Sequence, residues 1–178
     1  STKLLTITAG NQSSTYGSTK NLGTTSFTSD GLINSDSVSS VGLKVDGKNL
    51  VSARTNAGTY TIFASSARGS GLQNYTINYQ PGSLVISPRA LTIAASLQTS
   101  VYGAIKNLGT TAFTASGLVN SDRISGVTIR LANNGPALVS ATTAAGTYAI
   151  DVSNALPSLI SRNYNITYTA GSVVVNQA

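Results

Sequence analysis

The chain repeats itself: residues 3 to 87 align with residues 89 to 177. Any fold for it must therefore be one that can be built twice in succession, each half closing its own core. Tyr16-Gly17 meets Tyr102-Gly103, and Lys20-Asn21-Leu22-Gly23-Thr24-Thr25 meets the identical Lys106-Asn107-Leu108-Gly109-Thr110-Thr111, both at an offset of 86 residues. Gly31-Leu32 and Asn34-Ser35-Asp36 keep that offset with Gly117-Leu118 and Asn120-Ser121-Asp122. The offset then grows to 88, where Leu50-Val51-Ser52-Ala53 meets Leu138-Val139-Ser140-Ala141 and Ala57-Gly58-Thr59-Tyr60 meets Ala145-Gly146-Thr147-Tyr148, and to 89 at Asn74-Tyr75 and Asn163-Tyr164. Two added residues fall in Ala132-Asn133-Asn134-Gly135-Pro136, opposite Asp46-Gly47-Lys48, and both segments have turn composition. Length changes are tolerated in surface turns, so the insertions mark loops. We expect two domains, 1–87 and 88–178.

Between the insertions the apolar residues alternate with period 2, the signature of half-buried strands. Leu5, Ile7 and Ala9, then Tyr60, Ile62 and Ala64, then Tyr75, Ile77 and Tyr79, then Leu84 and Ile86 form such sets, and Leu91, Ile93 and Ala95 through Val173 and Val175 repeat them. Serine and threonine exceed a quarter of the chain and 17 residues are glycine, which suits strands and turns rather than helices. The expected class is mainly β, two tandem small β-rich domains arranged end to end, with at most one short helix each. A capped helical turn is expected at Leu32–Val41 and at Leu118–Val127, where Asn-Ser-Asp precedes Val38 or Ile124. The joint Ser87-Pro88-Arg89-Ala90 reaches roughly 13 Å at most, and its proline predicts a short, stiff link.

The residues exclude most chemistry. The chain has no Cys, His or Glu, which removes thiol and imidazole nucleophiles, thiolate zinc sites and most acid–base partners. Five aspartates remain, Asp30, Asp36, Asp46, Asp122 and Asp151, of which only Asp36 and Asp122 are equivalent. A cap or turn role fits that pair better than a carboxylate dyad. No closely spaced string of oxygen ligands suggests calcium. We expect no catalytic, cofactor-binding or metal site, no cofactor and no enzyme. Lys20-Asn21 and Lys106-Asn107 raise the idea of a Lys–Asn isopeptide crosslink, but adjacent strand residues point apart, and a solvated lysine before a turn is the expected reading. The net charge is +6, yet the eleven Lys and Arg are scattered without a patch, so nucleic acid is not an expected partner. No run of about 18 apolar residues predicts membrane insertion. No basic-then-apolar leader opens the chain, so an internal piece of a longer exported protein is expected.

Four motifs recur in order in both halves: Tyr-Gly; Gly-Leu-x-Asn-Ser-Asp; Ala-Gly-Thr-Tyr-x-Ile; and Asn-Tyr-x-Ile-x-Tyr-x-x-Gly-x-Leu/Val-x-Ile/Val. Their carriers are Tyr16-Gly17, Gly31 to Asp36, Ala57 to Ile62 and Asn74 to Ile86, with counterparts Tyr102-Gly103, Gly117 to Asp122, Ala145 to Ile150 and Asn163 to Val175. This pattern resembles the bacterial MBG repeat of the type named for its Tyr-Gly motif. The resemblance implies a β-grasp-like fold related to mucus-binding proteins, tandem arrays within large secreted adhesins, a bacterial cell-surface location and no enzymatic activity. With the short proline joint, the leading expectation is a stiff spacer or stalk that presents an adhesive region, a monomer whose partners are neighbouring repeats of the same chain. The alternative is a module that binds polysaccharide or host glycan in biofilm or host attachment. The aromatics bear on that alternative: all eight tyrosines, with Phe27 and Phe113, recur in both halves, mostly in phase with the strands, which assigns them to core packing. Phe63 alone lacks an aromatic counterpart, Asp151 standing in its place.

Overall fold

The alternation of Leu5, Ile7 and Ala9 with Leu4, Thr6 and Thr8 produces a strand with one face in the core, and all three of the first set are buried. In the computed structural model, which describes residues 1–178, the chain forms two units, Ser1–Ser87 and Pro88–Ala178. In chain order the first holds β1 (Lys3–Ala9), β2 (Gln12–Thr15), β3 (Lys20–Asn21), β4 (Phe27–Asp30), β5 (Ser37–Lys44), β6 (Leu50–Val51), β7 (Gly58–Ser70), β8 (Tyr75–Gln80) and β9 (Gly82–Ser87). The second holds β10 (Arg89–Ala95), β11 (Gln98–Val101), β12 (Lys106–Asn107), β13 (Phe113–Ser116), β14 (Gly126–Leu131), β15 (Leu138–Val139), β16 (Gly146–Leu156), β17 (Tyr164–Thr169) and β18 (Gly171–Asn176). The protein is mainly β, in two tandem domains of the same topology.

Each unit has a three-stranded sheet ordered β4-β1-β8 or β13-β10-β17, a four-stranded sheet ordered β2-β9-β7-β5 or β11-β18-β16-β14, and a two-stranded ribbon, β3-β6 or β12-β15. The first and last strands link the sheets. β1 runs parallel to β8 with Lys3 opposite Tyr75, and β2 runs parallel to β9 with Gln12 opposite Leu84, the same separation of 72 residues. The second unit keeps one separation of 75 residues, Arg89 opposite Tyr164 and Gln98 opposite Val173. Two neighbouring chain segments therefore bend together from one sheet into the next without losing register. The bend requires close backbone contact, and a Cβ on Gly82 or Gly171 would overlap the carbonyl oxygen of Ala9 or Ala95. At the other rim Gly31 and Gly117 have φ of 108° and 113°, and a Cβ there would lie 2.5 Å from the Leu4 or Ala90 carbonyl oxygen.

The core between the sheets is made by the repeated apolar positions. Leu5, Ile7, Leu43, Ile62 and Leu84 are sealed from solvent in the first unit, as are Leu91, Ile93, Ile129, Ile150 and Val173 at the equivalent places. Burying one such side chain contributes about 1.5–3 kcal/mol. A shared irregularity lies in the long strand. In the first unit Ser40 faces Arg68 and Gly42 faces Ser65, so β7 carries one residue more than β5. In the second, Gly126 faces Leu156 and Thr128 faces Ser153. Ser66 and Asn154, both with φ of 50°, are the equivalent bulge residues.

The expected helical turns at Leu32–Val41 and Leu118–Val127 are absent. Asn34 and Ser35 have φ of 54° and 61°, and the Asp36 N–H donates to the Ile33 carbonyl at 2.9 Å. Asn120 and Ser121 have φ of 58° and 66°, with the Asp122 N–H on the Val119 carbonyl at 2.9 Å. Two consecutive positive φ angles with this bond define a type I′ turn, and asparagine tolerates that region better than most residues. The turn delivers the chain into β5. Helical structure is confined to single 3-10 turns elsewhere, Leu72–Asn74 and Ser158–Arg162. The Ala132–Pro136 insertion is a turn with positive φ at Asn133 and Asn134, and its shorter counterpart closes around Asp46-Gly47, where Val45 and Lys48 exchange both backbone hydrogen bonds at 2.9 Å.

Candidate functional site

The most connected polar cluster in each unit joins the last strand of the small sheet to the type I′ turn. Tyr75, at the head of β8, is buried, and its hydroxyl accepts the Ile33 N–H at 2.9 Å while donating to Asp36 Oδ2 at 2.9 Å. Tyr164 repeats this on Val119 N–H at 2.9 Å and Asp122 Oδ2 at 2.7 Å. Burial pushes the Tyr75 phenol above its ordinary value of 10.0, the Ile33 backbone bond opposes the shift, and the Asp36 carboxylate adds to it. A phenol held neutral in this way is no base or nucleophile near neutral pH. The cluster ties a turn to a strand through the carboxylates of Asp36 and Asp122, each bonded to a tyrosine hydroxyl distant in sequence.

Other recurring side chains also serve their own backbone. Gln12 and Gln98 donate to the Leu22 and Leu108 carbonyls at 3.0 and 3.1 Å. Asn21 and Asn107 accept the Gly23 and Gly109 N–H at 2.9 and 2.8 Å, so the asparagines of the Lys-Asn pairs build turns. Tyr60 and Tyr148 donate to the carbonyls of Asn56 and Ala144 at 2.8 and 2.9 Å. The Tyr-Gly motif marks the end of the parallel ladder: Tyr16 N–H reaches Ser87, Tyr102 N–H reaches Asn176, and the next N–H, of Gly17 or Gly103, turns to Ala53 or Ala141.

The remaining aspartates are not brought together. Asp30, Asp46 and Asp151 are exposed, and no group of three or more His, Cys, Asp or Glu side chains is placed to hold a metal ion. Two shallow clefts are present. One of about 160 Å³ is lined by Val45, Asp46, Lys48, Leu50, Val51, Ser52 and Thr55, and one of about 310 Å³ by Leu131, Ala132, Asn133, Thr147, Tyr148 and Ala149. They share only the corner at Val45 and Leu131, and the charged Asp46 of the first becomes Ala132 in the second. Ligand pockets run to about 300–1,000 Å³, so the first is too small and the second barely reaches the range.

The assignment of all the tyrosines to the core needs correction. Tyr16, Tyr75 and Tyr164 are buried, but Tyr102 is 51% exposed and Tyr168 38%. Phe63, the unshared aromatic, is 60% exposed. The paired glutamines were missed by sequence reasoning, although their recurrence at one offset beside a strand start was a usable signal.

What fold and site define is a tandem pair of β-domains whose recurrent polar groups serve the domains themselves. The sequence profile of the MBG domain (YGX type) matches residues 5–85 and 91–174, and the chain belongs to that family. No curated protein matches at the sequence level. Among solved structures, the four N-terminal Ig domains of Dscam1 isoform 6.9 align at a TM-score of 0.30 and 13% identity, over 96% of this chain and 44% of that one. Drosophila N-cadherin EC1-3 aligns at 0.33 and 9% identity, over 98% and 68%. The chain thus spans less than half of the Dscam1 structure. No helix is long and apolar enough to cross a membrane.

Proposed function

We propose that the chain is a non-catalytic spacer segment of a secreted bacterial surface adhesin, two stiff units whose partners are neighbouring repeats and whose task is to hold an adhesive region away from the cell. The supporting observation is what the two units have in common. Core positions, the Tyr–Asp turn cluster, the paired glutamine and asparagine contacts and the bulge all repeat, whereas the exposure of Tyr102 and of Phe63 does not. Selection for a surface site would repeat the site; here the framework repeats. MBG membership supports the adhesin context, and the single residue between β9 and β10, Pro88, supports stiffness.

Small-angle scattering of the whole chain tests the spacer: one narrow distribution of interdomain distances is expected, broadened when Ser87, Pro88 and Arg89 are all replaced by glycine. A compact pair, or broad distances before that replacement, would contradict it. The competing reading, contact with polysaccharide, has one observation in its favour: the Tyr102 ring is half exposed where Tyr16 is only 5% exposed. A glycan array and co-sedimentation with exopolysaccharide decide between them, and retention by a defined glycan, lost in Tyr102→Ala, would displace the spacer reading.

A further inference from the structure

We infer that each unit is a load-bearing clamp, closed by the parallel ladder between its first and last strands. In the first unit the clamp comprises six paired positions of β1 with β8 and four of β2 with β9, all in one register. The second unit has six of β10 with β17 and four of β11 with β18. The inference takes its setting from the spacer reading, in which tension along the chain enters each unit at the start of its first strand and leaves at the end of its last. It deepens that reading by naming what resists the tension.

The argument is one of directions. Because the strands are parallel, tension draws β1–β2 back along its own axis and β8–β9 forward along the same axis. Inter-strand hydrogen bonds lie across the pull, so they share it and must yield within one register step of sliding. Antiparallel end strands linked by a hairpin would instead be peeled apart one bond at a time. Sliding also requires apolar side chains on both segments to leave the core together: Leu5 and Ile7 on one, Leu84 and Ile86 on the other, all at most 4% exposed. At the bend the backbone pairing is interrupted between Thr8–Gln80 and Gln12–Leu84 while the register is kept, and in the first unit the Ser83 N–H donates to Asn11 Oδ1 at 3.0 Å. Everything from Tyr16 to Asn74 lies between the clamped segments in sequence and is released only after they part.

Forced unfolding is set by the unfolding barrier, so single-molecule pulling reads the clamp directly. The chain has no cysteine, and introduced cysteines give unique attachment points. Pulling the full chain through Ser1→Cys and Ala178→Cys shears both ladders, and each unit is expected to yield separately with roughly 300 Å of extension, from ~85 residues at about 3.5 Å each. Pulling through Ser18→Cys and Ser87→Cys loads β2 and β9 at the same end, peels them apart, and is expected to need a several-fold smaller force at equal loading rate. The Tyr16 N–H bonds Ser87, so by alternation Ser14 N–H faces β9 and Ser13 N–H faces away. In the shearing geometry Ser14→Pro is therefore expected to lower the force more than Ser13→Pro. Equal forces in the two geometries overturn the clamp, whether or not the proline variants fold. Equal forces with no glycan retention leave the spacer reading standing; a high shearing force with specific glycan retention does the reverse.

Discussion

The Tyr79 hydroxyl accepts the Ala67 N–H at 2.9 Å, directly beside the bulge residue Ser66, and Tyr168 does the same for Ala155 at 3.0 Å beside Asn154. A bulge leaves one backbone donor without a ladder partner, and in both units a tyrosine on the neighbouring small sheet takes it. Tyr79→Phe keeps the ring and removes the acceptor. We expect it to destabilise the first unit by about 1–3 kcal/mol, the cost of an unsatisfied part-buried donor. Denaturant titration checks this, with Tyr168→Phe producing the same loss in the second unit.

Ionisation of Tyr75 couples stability to alkaline pH. Its phenol is raised above 10.0 in the folded state, so the neutral form is favoured by folding. The stabilisation is fully present below the unfolded value and is lost as pH rises through the folded one. Tyrosinate absorbance is expected to show Tyr75 titrating late, as its loss in Tyr75→Phe would identify. Asp36→Asn removes the added carboxylate charge and is expected to move that group part of the way back, since burial, the larger cause, remains.

The Asn34-Ser35 turn makes a prediction opposite in sign to a helix cap. Ser35 sits at φ 61°, a conformation that glycine adopts without the strain of a side chain. Ser35→Gly relieves about 1–2 kcal/mol of left-handed strain against about 0.4–1 kcal/mol of added unfolded-state freedom, so a net gain of up to about 1 kcal/mol is expected, whereas removal of a capping serine would lower stability or leave it unchanged. Thermal unfolding of Ser35→Gly and its counterpart Ser121→Gly distinguishes the two.

Gly31 combines a φ of 108° with a backbone oxygen, that of Leu4, 2.5 Å from where a Cβ would sit. Gly31→Ala is expected to cost about 1–3 kcal/mol from backbone strain alone. Gly47→Ala, at φ 76° with open space around it, bears strain without the clash and is expected to cost less. Equal losses by denaturant titration would show that the close approach to Leu4 is unimportant.

Much of this architecture is legible in the residues because a strand's period depends only on alternating burial. Leu5, Ile7, Ile62, Leu84 and their counterparts stand in the core where the alternation puts them. Short-range polar geometry was harder to read. Asn-Ser-Asp is compatible with a helix cap and with a type I′ turn, and the choice depends on a distant residue, Tyr75, whose hydroxyl holds the turn from 42 residues away. The two-residue ribbons β3-β6 and β12-β15 are too short for any period to show. Tyr168 repeats Tyr79 in sequence and in its bond to the bulge, yet it is 38% exposed where Tyr79 is half-buried, so a shared hydrogen bond does not fix how much of a ring the neighbours cover.

The equivalence of the two cores also bears on how copies are gained and lost. Lys20–Thr25 and Lys106–Thr111 are identical, and both stretches follow the second strand of their unit. Unequal crossing-over within the shared hexapeptide would excise 86 residues and fuse β1–β2 of one copy to β12–β18 of the other. Such a hybrid would place Leu5 and Ile7 in one core with Val173 and Val175, apolar positions that are buried in both parent units, so a whole domain can be lost without exposing a core face.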